Sequence, residues 1–223
     1  MKRFRLTEQQ TNFFDTFGFI HLPGLMADCI DDIITAFEQV WEEQGGGHNG
    51  QAHDGESRSC IVPFIDQHER LCALLDDPRI EGLLISLLGD DFNYTGSDGN
   101  YYSGDTRWHS DGYGNELRFV KIAFYLDNLT RDTGCLRVIP GSHRRGDGFS
   151  DRLEEDIRTS EERWGLTNAE VPAAALETSP GDILAFQHNL KHAAFGGGGR
   201  RRMFTINCSV RFPEDKIGTL RKY

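Results

Sequence analysis

Leu117-Arg118-Phe119-Val120-Lys121-Ile122-Ala123-Phe124-Tyr125-Leu126 is the stretch with the fullest two-residue alternation in the chain. In an extended chain successive side chains leave opposite faces. Val120, Ile122, Phe124 and Leu126 therefore form one apolar face. Phe119, Lys121, Ala123 and Tyr125 form the other, which is expected to line a pocket. Similar strand signals surround it at Phe92–Tyr102, Trp108–Asp111, Leu136–Ile139, Ile183–Gln187 and Met203–Phe212. Turn residues separate them at Asn128–Thr133 and at Pro140-Gly141-Ser142-His143. Glycine makes up 25 of 223 residues against only 7 prolines, above the usual ~7 % glycine. Excess glycine without excess proline points to the turns of a sandwich or barrel rather than to a disordered linker.

The region before Gly89 reads differently. Thr7 is placed to cap a helix on which Phe13, Phe14 and Phe17 share a face. Gly18–Pro23 is a short strand closed by proline. Asp28–Glu43 carries Ile30, Ile33, Ile34, Phe37, Val40 and Trp41 at helical spacing. A loop over Gly45–Ser59 and shorter helices at Gln67–Leu75 and Pro78–Leu88 follow. Phe149–Trp164 is a charged helical insertion between strands. The expectation is one domain over 1–223, mainly β with flanking helices: a helical layer over 1–88 supporting a strand-rich core over 89–212.

A net charge of −11 argues against nucleic acid and anionic membranes as partners. No apolar run approaches the ~18 residues of a membrane span, and Thr7-Glu8-Gln9-Gln10 stands where an export signal would be apolar. Cys29, Cys60, Cys72, Cys135 and Cys208 form no C-x-x-C pair and read as reduced, small buried residues of a cytoplasmic protein. A monomer acting on a small molecule is the default expectation.

Chemistry concentrates at Trp108-His109-Ser110-Asp111. On a strand His109 and Asp111 would share a face, as two ligands of a 2-His-1-carboxylate site do; that arrangement suits non-haem Fe(II). A His-x-Asp pair alone is unspecific. The second histidine must come from a later strand, and His188 and His192 are the candidates.

The order of motifs is more specific. Trp108–Asp111, Tyr125-Leu126-Asp127, Asp132–His143, Pro180–Phe186 and Leu190-Lys191-His192 together resemble the phytanoyl-CoA dioxygenase family, over about Leu6 to Phe212. The resemblance implies a double-stranded β-helix (a cupin-like jelly roll) and an oxygenase that uses Fe(II), 2-oxoglutarate and O₂. Carried over by position, it makes His109, Asp111 and His192 the catalytic iron ligands and leaves His188 a non-ligand. Ala193 and Ala194 stand where the family usually has a small residue such as glycine or serine.

The family also holds the distal carboxylate of 2-oxoglutarate with an arginine after the last histidine, and a guanidinium can grip it bidentately. Arg200, Arg201 and Arg202 are available. Arg201 shares strand parity with Met203, Thr205, Asn207 and Ser209, a polar face suited to a wet pocket. Arg202 goes with Phe204, Ile206, Cys208 and Val210 and is the fallback, since a bulge would swap the faces. Lys121 is a second candidate contact for 2-oxoglutarate or an anionic substrate; the alternative is a lysine reaching out at the barrel rim. With Arg201 and Lys121 the pocket is expected to be locally basic.

Within the resemblance, retention of Asp111 implies hydroxylation of an unactivated C–H bond, or a variant such as desaturation, with release of succinate and CO₂. Halogenating relatives carry a small residue there. Two alternatives stand beside this reading: a cupin-like metal oxygenase without 2-oxoglutarate, and a non-catalytic metal-stabilised module. The short chain favours a small or polar substrate, with lids at Gly45–Ser59 and Arg144–Pro172. His21, His48, His53 and His68 read as surface or loop residues, His143 as a structural turn residue, and Asp90-Asp91 and Arg144-Arg145 as solvated charge. Trp108 reads as packing, beside the iron site or inside the barrel.

Overall fold

A computed structural model describes residues 4–47, 50–112 and 117–220. His48, named above, lies outside the described residues. The elements run α1 (Glu8–Phe17), β1 (Phe19–Leu22), α2 (Ile30–Glu43), β2 (Ser59–Ile61), α3 (Glu69–Cys72) and α4 (Pro78–Leu88). Then come β3 (Phe92–Tyr102), β4 (Thr106–His109), β5 (Phe119–Tyr125), β6 (Leu136–Val138), α5 (Gly148–Arg158) and α6 (Ser160–Trp164). β7 (Ala174–Leu176), β8 (Ile183–Gln187), β9 (His192–Ala194), β10 (Arg201–Val210) and α7 (Ile217–Leu220) complete the chain. The Thr7 hydroxyl accepts from the Gln10 N–H while the Gln10 side chain returns to the Thr7 N–H, so α1 starts on a capping box.

The strands form two antiparallel sheets, a larger one in the order β1-β8-β5-β10-β3-β2 and a smaller one in the order β4-β9-β6-β7. β5 lies between β8 and β10, with Phe124 opposite Phe204 and Lys121 opposite Asn207. The apolar face of β5 therefore meets that of β10 on the outer side of the large sheet. Val120, Ile122, Phe124, Leu126, Phe204, Ile206 and Cys208 pack there against Phe14, Ile33, Phe37 and Trp41 of the helical layer. Phe124 and Phe204 stack at 4.4 Å between ring centroids; truncating either to alanine costs about 3–5 kcal/mol. Between the sheets lies a second cluster containing Ala123, Tyr125, Leu136, Val138, Leu184, Phe186 and Met203. Helices on one face and a half-polar interior on the other explain the alternation of β5.

Several expectations need correction. The strand expected over Trp108–Asp111 ends at His109, and Asp111 sits in the bend beyond it. Its N–H and that of Gly112 both donate to the His188 carbonyl, at 2.8 and 2.9 Å. The chain must leave the edge strand there, and a hydrogen-bonded bend rather than a pleat brings Asp111 beside His109. Phe13 and Phe17 are exposed and only Phe14 is buried, because α1 lies on the rim with Phe13 packed on Phe17 and Phe19. Cys72 is exposed and Cys29 and Cys60 half-buried, Cys60 because it lies on β2, the edge strand of the larger sheet. β2, β7 and β9 were not anticipated; three residues are too few to show a period. Among the described residues no helix is long and apolar enough to cross a membrane.

Candidate active site

His109 at the end of β4 and His192 at the start of β9 are direct neighbours in the ladder. Their rings lie 4.2 Å apart, and Asp111 closes the triangle: Oδ1 is 3.8 Å from His109 Nε2 and Oδ2 is 3.6 Å from His192 Nε2. One ligand atom from each of the three lies within 4.8 Å of the others, so they could hold a metal ion. The sequence fixes the ring orientation locally. His109 Nδ1 is 2.8 Å from the Arg107 carbonyl and His192 Nδ1 is 2.9 Å from that of Leu190. A carbonyl only accepts, so each Nδ1 carries the proton and each Nε2 lone pair faces the triangle. Burial pushes His192 down to about 4 against the pull of Asp111, which leaves it neutral at pH 7 as a metal ligand must be.

Lys121 lies in the pocket and not at the rim. Its Nζ is 2.9 Å from Asp111 Oδ2. Burial pushes the Asp111 carboxyl up, but Lys121 and then His192 outweigh it and hold the group well below the carboxylate range. Burial likewise works against the Lys121 charge, and Asp111 and Asp98 outweigh it in turn. Asp98 was not anticipated. It accepts from Thr205 Oγ1 and from Asn100 Nδ2. Two carboxylates thus face Lys121, and the pocket is of mixed charge rather than simply basic. β10 pairs with β3 so that Arg201 faces Tyr102, Met203 faces Asn100 and Thr205 faces Asp98. Parity along β3 would have pointed to Asp98 and Tyr102, had the register been known.

Arg201 lines the same cavity as the triangle, with Tyr102, Tyr125, Leu136 and Phe186 between. Its Nη1 is buried and has no hydrogen-bond partner among the described residues, and its guanidinium lies 5.3 Å from the Tyr102 ring. The guanidinium rests on two glycines. A Cβ at Gly134 or Gly197 would stand 1.9 or 2.0 Å from Nη1. Arg202 instead points to the helical layer, where Asp127 Oδ1 accepts from its Nε and Nη2 and Glu38 from its Nη1. Arg200 stacks on Tyr101 and pairs with Glu38. Only Arg201 of the three brings an unpartnered guanidinium into the pocket. Ala193 and Ala194 leave their wall without a hydroxyl, while Thr106, opposite Ala194 in the ladder, brings one.

His188 stands apart from the triangle. Its Nε2 is 3.2 Å from Asn207 Oδ1 and its ring packs on Phe119. Burial, then Lys121, pushes it down to about 4. His21 bonds Asp182, His68 bonds Gln39, and His53 ties Ser59 to the Gly199 carbonyl. His143 is buried in its turn. Asp90 and Asp91 are exposed ion-pair partners of Arg5 and Arg211. Arg145 is not free surface charge: it donates to the Gly112 carbonyl and lies 3.4 Å from Ser110 Oγ, bracing the bend that carries Asp111. Trp108 packs outside the barrel, against Phe195 and the Ile139–Ile157–Val171 cluster, with Nε1 donating to the Asn168 carbonyl.

Two antiparallel sheets with a His-Asp-His triangle at the mouth of the cavity between them define the jelly-roll class of non-haem metal oxygenases. A family model for phytanoyl-CoA dioxygenase (PhyH) matches residues 14–203, and the chain belongs to that family. A search of curated proteins finds no match. Among solved structures, a non-heme alpha-ketoglutarate-dependent carbocyclase, SnoK from nogalamycin biosynthesis, is 22 % identical with TM-score 0.72, over 98 % of this chain and 91 % of its own. HygX from Streptomyces hygroscopicus, with nickel and 2-oxoglutarate bound, is 17 % identical with TM-score 0.73, over 93 % and 88 %. EctD from S. alaskensis, with bound Fe, is 23 % identical with TM-score 0.71, over 92 % and 77 %.

Proposed function

We propose that this chain is an Fe(II)- and 2-oxoglutarate-dependent oxygenase that hydroxylates an unactivated C–H bond of a small polar or anionic organic molecule. One observation carries the reading: a single cavity holds the His109–Asp111–His192 donor set and the unpartnered guanidinium of Arg201. Two imidazoles and one carboxylate are the donors that suit iron. A buried guanidinium without an acceptor suits the distal carboxylate of 2-oxoglutarate. When bound, iron and 2-oxoglutarate would supply the oxidising chemistry with O₂ as the oxidant, one oxygen atom going into succinate (formed with CO₂) and the other into the hydroxylated product.

The chain's own residues position the reactants. His109 and His192 present Nε2, held by their Nδ1 bonds to backbone. Asp111 offers an ionised oxygen, and Lys121 balances its charge and limits its rotation. In this role Lys121 is a partner of Asp111 more than a contact for 2-oxoglutarate. Arg201 orients the far end of the cosubstrate, and Tyr102, Tyr125, Leu136 and Phe186 keep water from it. Asp111 occupies the position that halogenation would need open, which favours hydroxylation. The test is succinate formation coupled to O₂ uptake by iron-loaded protein with 2-oxoglutarate. The reading fails if iron binds and no succinate forms with or without a panel of small organic acids and neutral analogues.

A further inference from the structure

Beside the inner cavity lies a second one of about 290 Å³, lined by Arg107, Trp108, Ile157, Arg158 and Lys191. The two share one wall, His109, whose side chain is 42 % exposed although its Nε2 faces the triangle. A molecule in the outer cavity would therefore lie against a proposed iron ligand.

The charges of this cavity are unbalanced. Three cations face one carboxylate, Glu154, in a chain of net charge −11. Most cations near the site already have partners: Lys121 has Asp111, Arg202 has Asp127, and Arg145 has the Gly112 carbonyl. Lys191 is buried and holds Glu154 Oε2 at 2.5 Å. Arg107 and Arg158 differ. Among the described residues neither side chain has a hydrogen bond or ion pair, and both border this cavity. Glu154, one turn before Arg158 on α5, feels its charge but is held by Lys191. Arg158 also borders an outer cleft with Asp151, Glu154 and Glu155, and no hydrogen bond or ion pair among the described residues ties its side chain to them. Trp108 and Ile157 supply apolar wall to the same cavity.

We infer that the outer cavity is the substrate site, and that Arg107 and Arg158 bind an anionic group (a carboxylate or phosphonate) of a small organic substrate whose carbon skeleton lies over Trp108 toward His109. The inference rests on the oxygenase reading for the reacting end, and it gives that reading a substrate class and two specificity residues. Paired arginines grip such groups through several charge-assisted hydrogen bonds at once. Replacing the Arg107 side chain leaves its carbonyl, and hence the orientation of His109, in place.

Titration calorimetry on the full chain, saturated with Mn(II) and 2-oxoglutarate, tests this with phenylphosphonate, benzoate and neutral benzamide as probes. The two anions are expected to bind and benzamide to bind far more weakly. Arg107→Gln and Arg158→Gln should each weaken anion binding about tenfold, the loss of one charge-assisted contact. Arg107→Lys should recover part of the loss, and Arg152→Gln on the exposed face of α5 should change nothing. Melting temperatures like the wild type's verify folding. Equal affinity for benzamide, insensitivity to both arginines, or a loss confined to Arg201→Met overturns the inference. The readout needs no turnover. Arginine-dependent binding without succinate formation would refute the oxygenase reading alone, and succinate formation with arginine-independent binding would refute the inference alone.

Discussion

Arg201→Met separates a residue that binds cosubstrate from one that supports the barrel. The Arg201 side chain is buried, its Nη1 meets no acceptor among the described residues, and its aromatic neighbour is Tyr102 at 5.3 Å. A buried cation without a counter-ion carries a desolvation penalty of several kcal/mol, against a cation–π gain of about 0.5–2 kcal/mol. Methionine fills much of the same volume without that penalty. The ligand-free variant should therefore melt no lower than the wild type. Binding should move the other way. Losing a bidentate contact to the distal carboxylate of 2-oxoglutarate removes about 3 kcal/mol, or roughly 150-fold in Kd. At 2-oxoglutarate 100 times the wild-type Kd, ligand stabilises the wild type by about 2.7 kcal/mol and the variant by about 0.3 kcal/mol. For a chain of this length the difference is on the order of 5–10 °C in ligand-induced Tm shift. The assay is thermal unfolding with Mn(II) under nitrogen, with and without 2-oxoglutarate. A full ligand-induced shift in the variant refutes the reasoning and reopens Arg202, or an oxygenase without 2-oxoglutarate. Should Arg201→Met fail to fold, Arg201→Lys keeps the charge and loses the fork; an undiminished shift there refutes the bidentate argument.

Metal analysis of His192→Ala should show loss of stoichiometric iron, whereas His188→Ala should keep it and lose about 1 kcal/mol with its bond to Asn207; the reverse pattern would make His188 the ligand. Lys121→Met leaves Asp111 a buried, uncompensated carboxylate, so the metal-free protein should lose about 3–5 kcal/mol at pH 7. Added metal should recover part of that, and an equal loss with and without metal would show that Lys121 supports the barrel instead. Asp182 accepts from the Gly24 and Ser179 N–H groups and from His21. Burial raises its pKa, but those bonds outweigh burial and lower it from 3.8. Its stabilisation is thus present above that value and lost as pH falls through the folded-state pKa. Urea unfolding of Asp182→Asn should show a deficit of about 1–2 kcal/mol at pH 7 that shrinks below pH 4; a deficit that grows on acidification contradicts this assignment.

How far the sequence could be read depended on whether the deciding contact was local. Parity placed Arg201 and Arg202 on opposite faces of β10 and Lys121 toward the pocket, because a strand's alternation is a property of its own residues. Pro78–Leu88, Phe92–Tyr102 and Ile183–Gln187 were legible to the residue because capping, turn and periodic signals agreed. The partners of those residues were not legible. Asp98 meets Thr205 only through the register of β3 on β10, and no local signal encodes that register. The same limit explains Arg145, whose acceptor lies across the sheet on the bend after β4. His109 and Asp111 came together for a reason the strand rule did not supply, since the bend is set by the His188 carbonyl on another loop.

The interior of this barrel is built against its own stability. Asp98, Asn100, Lys121, Thr205 and Asn207 occupy inward strand positions that well-packed apolar residues would fill at lower electrostatic cost. Nearly all of these groups nonetheless find partners. Asp98 has Thr205 and Asn100, Lys121 has Asp111, and Asn207 has His188 and the Gly96 carbonyl. A polar network satisfied to that degree fixes geometry, because each member loses a hydrogen bond if it moves. Against that background, what matters is which incomplete groups share the cavity. Arg201 Nη1 is such a group, and the His109 and His192 Nε2 lone pairs are others. All face one cavity. The residual valences of the network, more than the polarity of the pocket, are what single out a metal at one end and a carboxylate at the other.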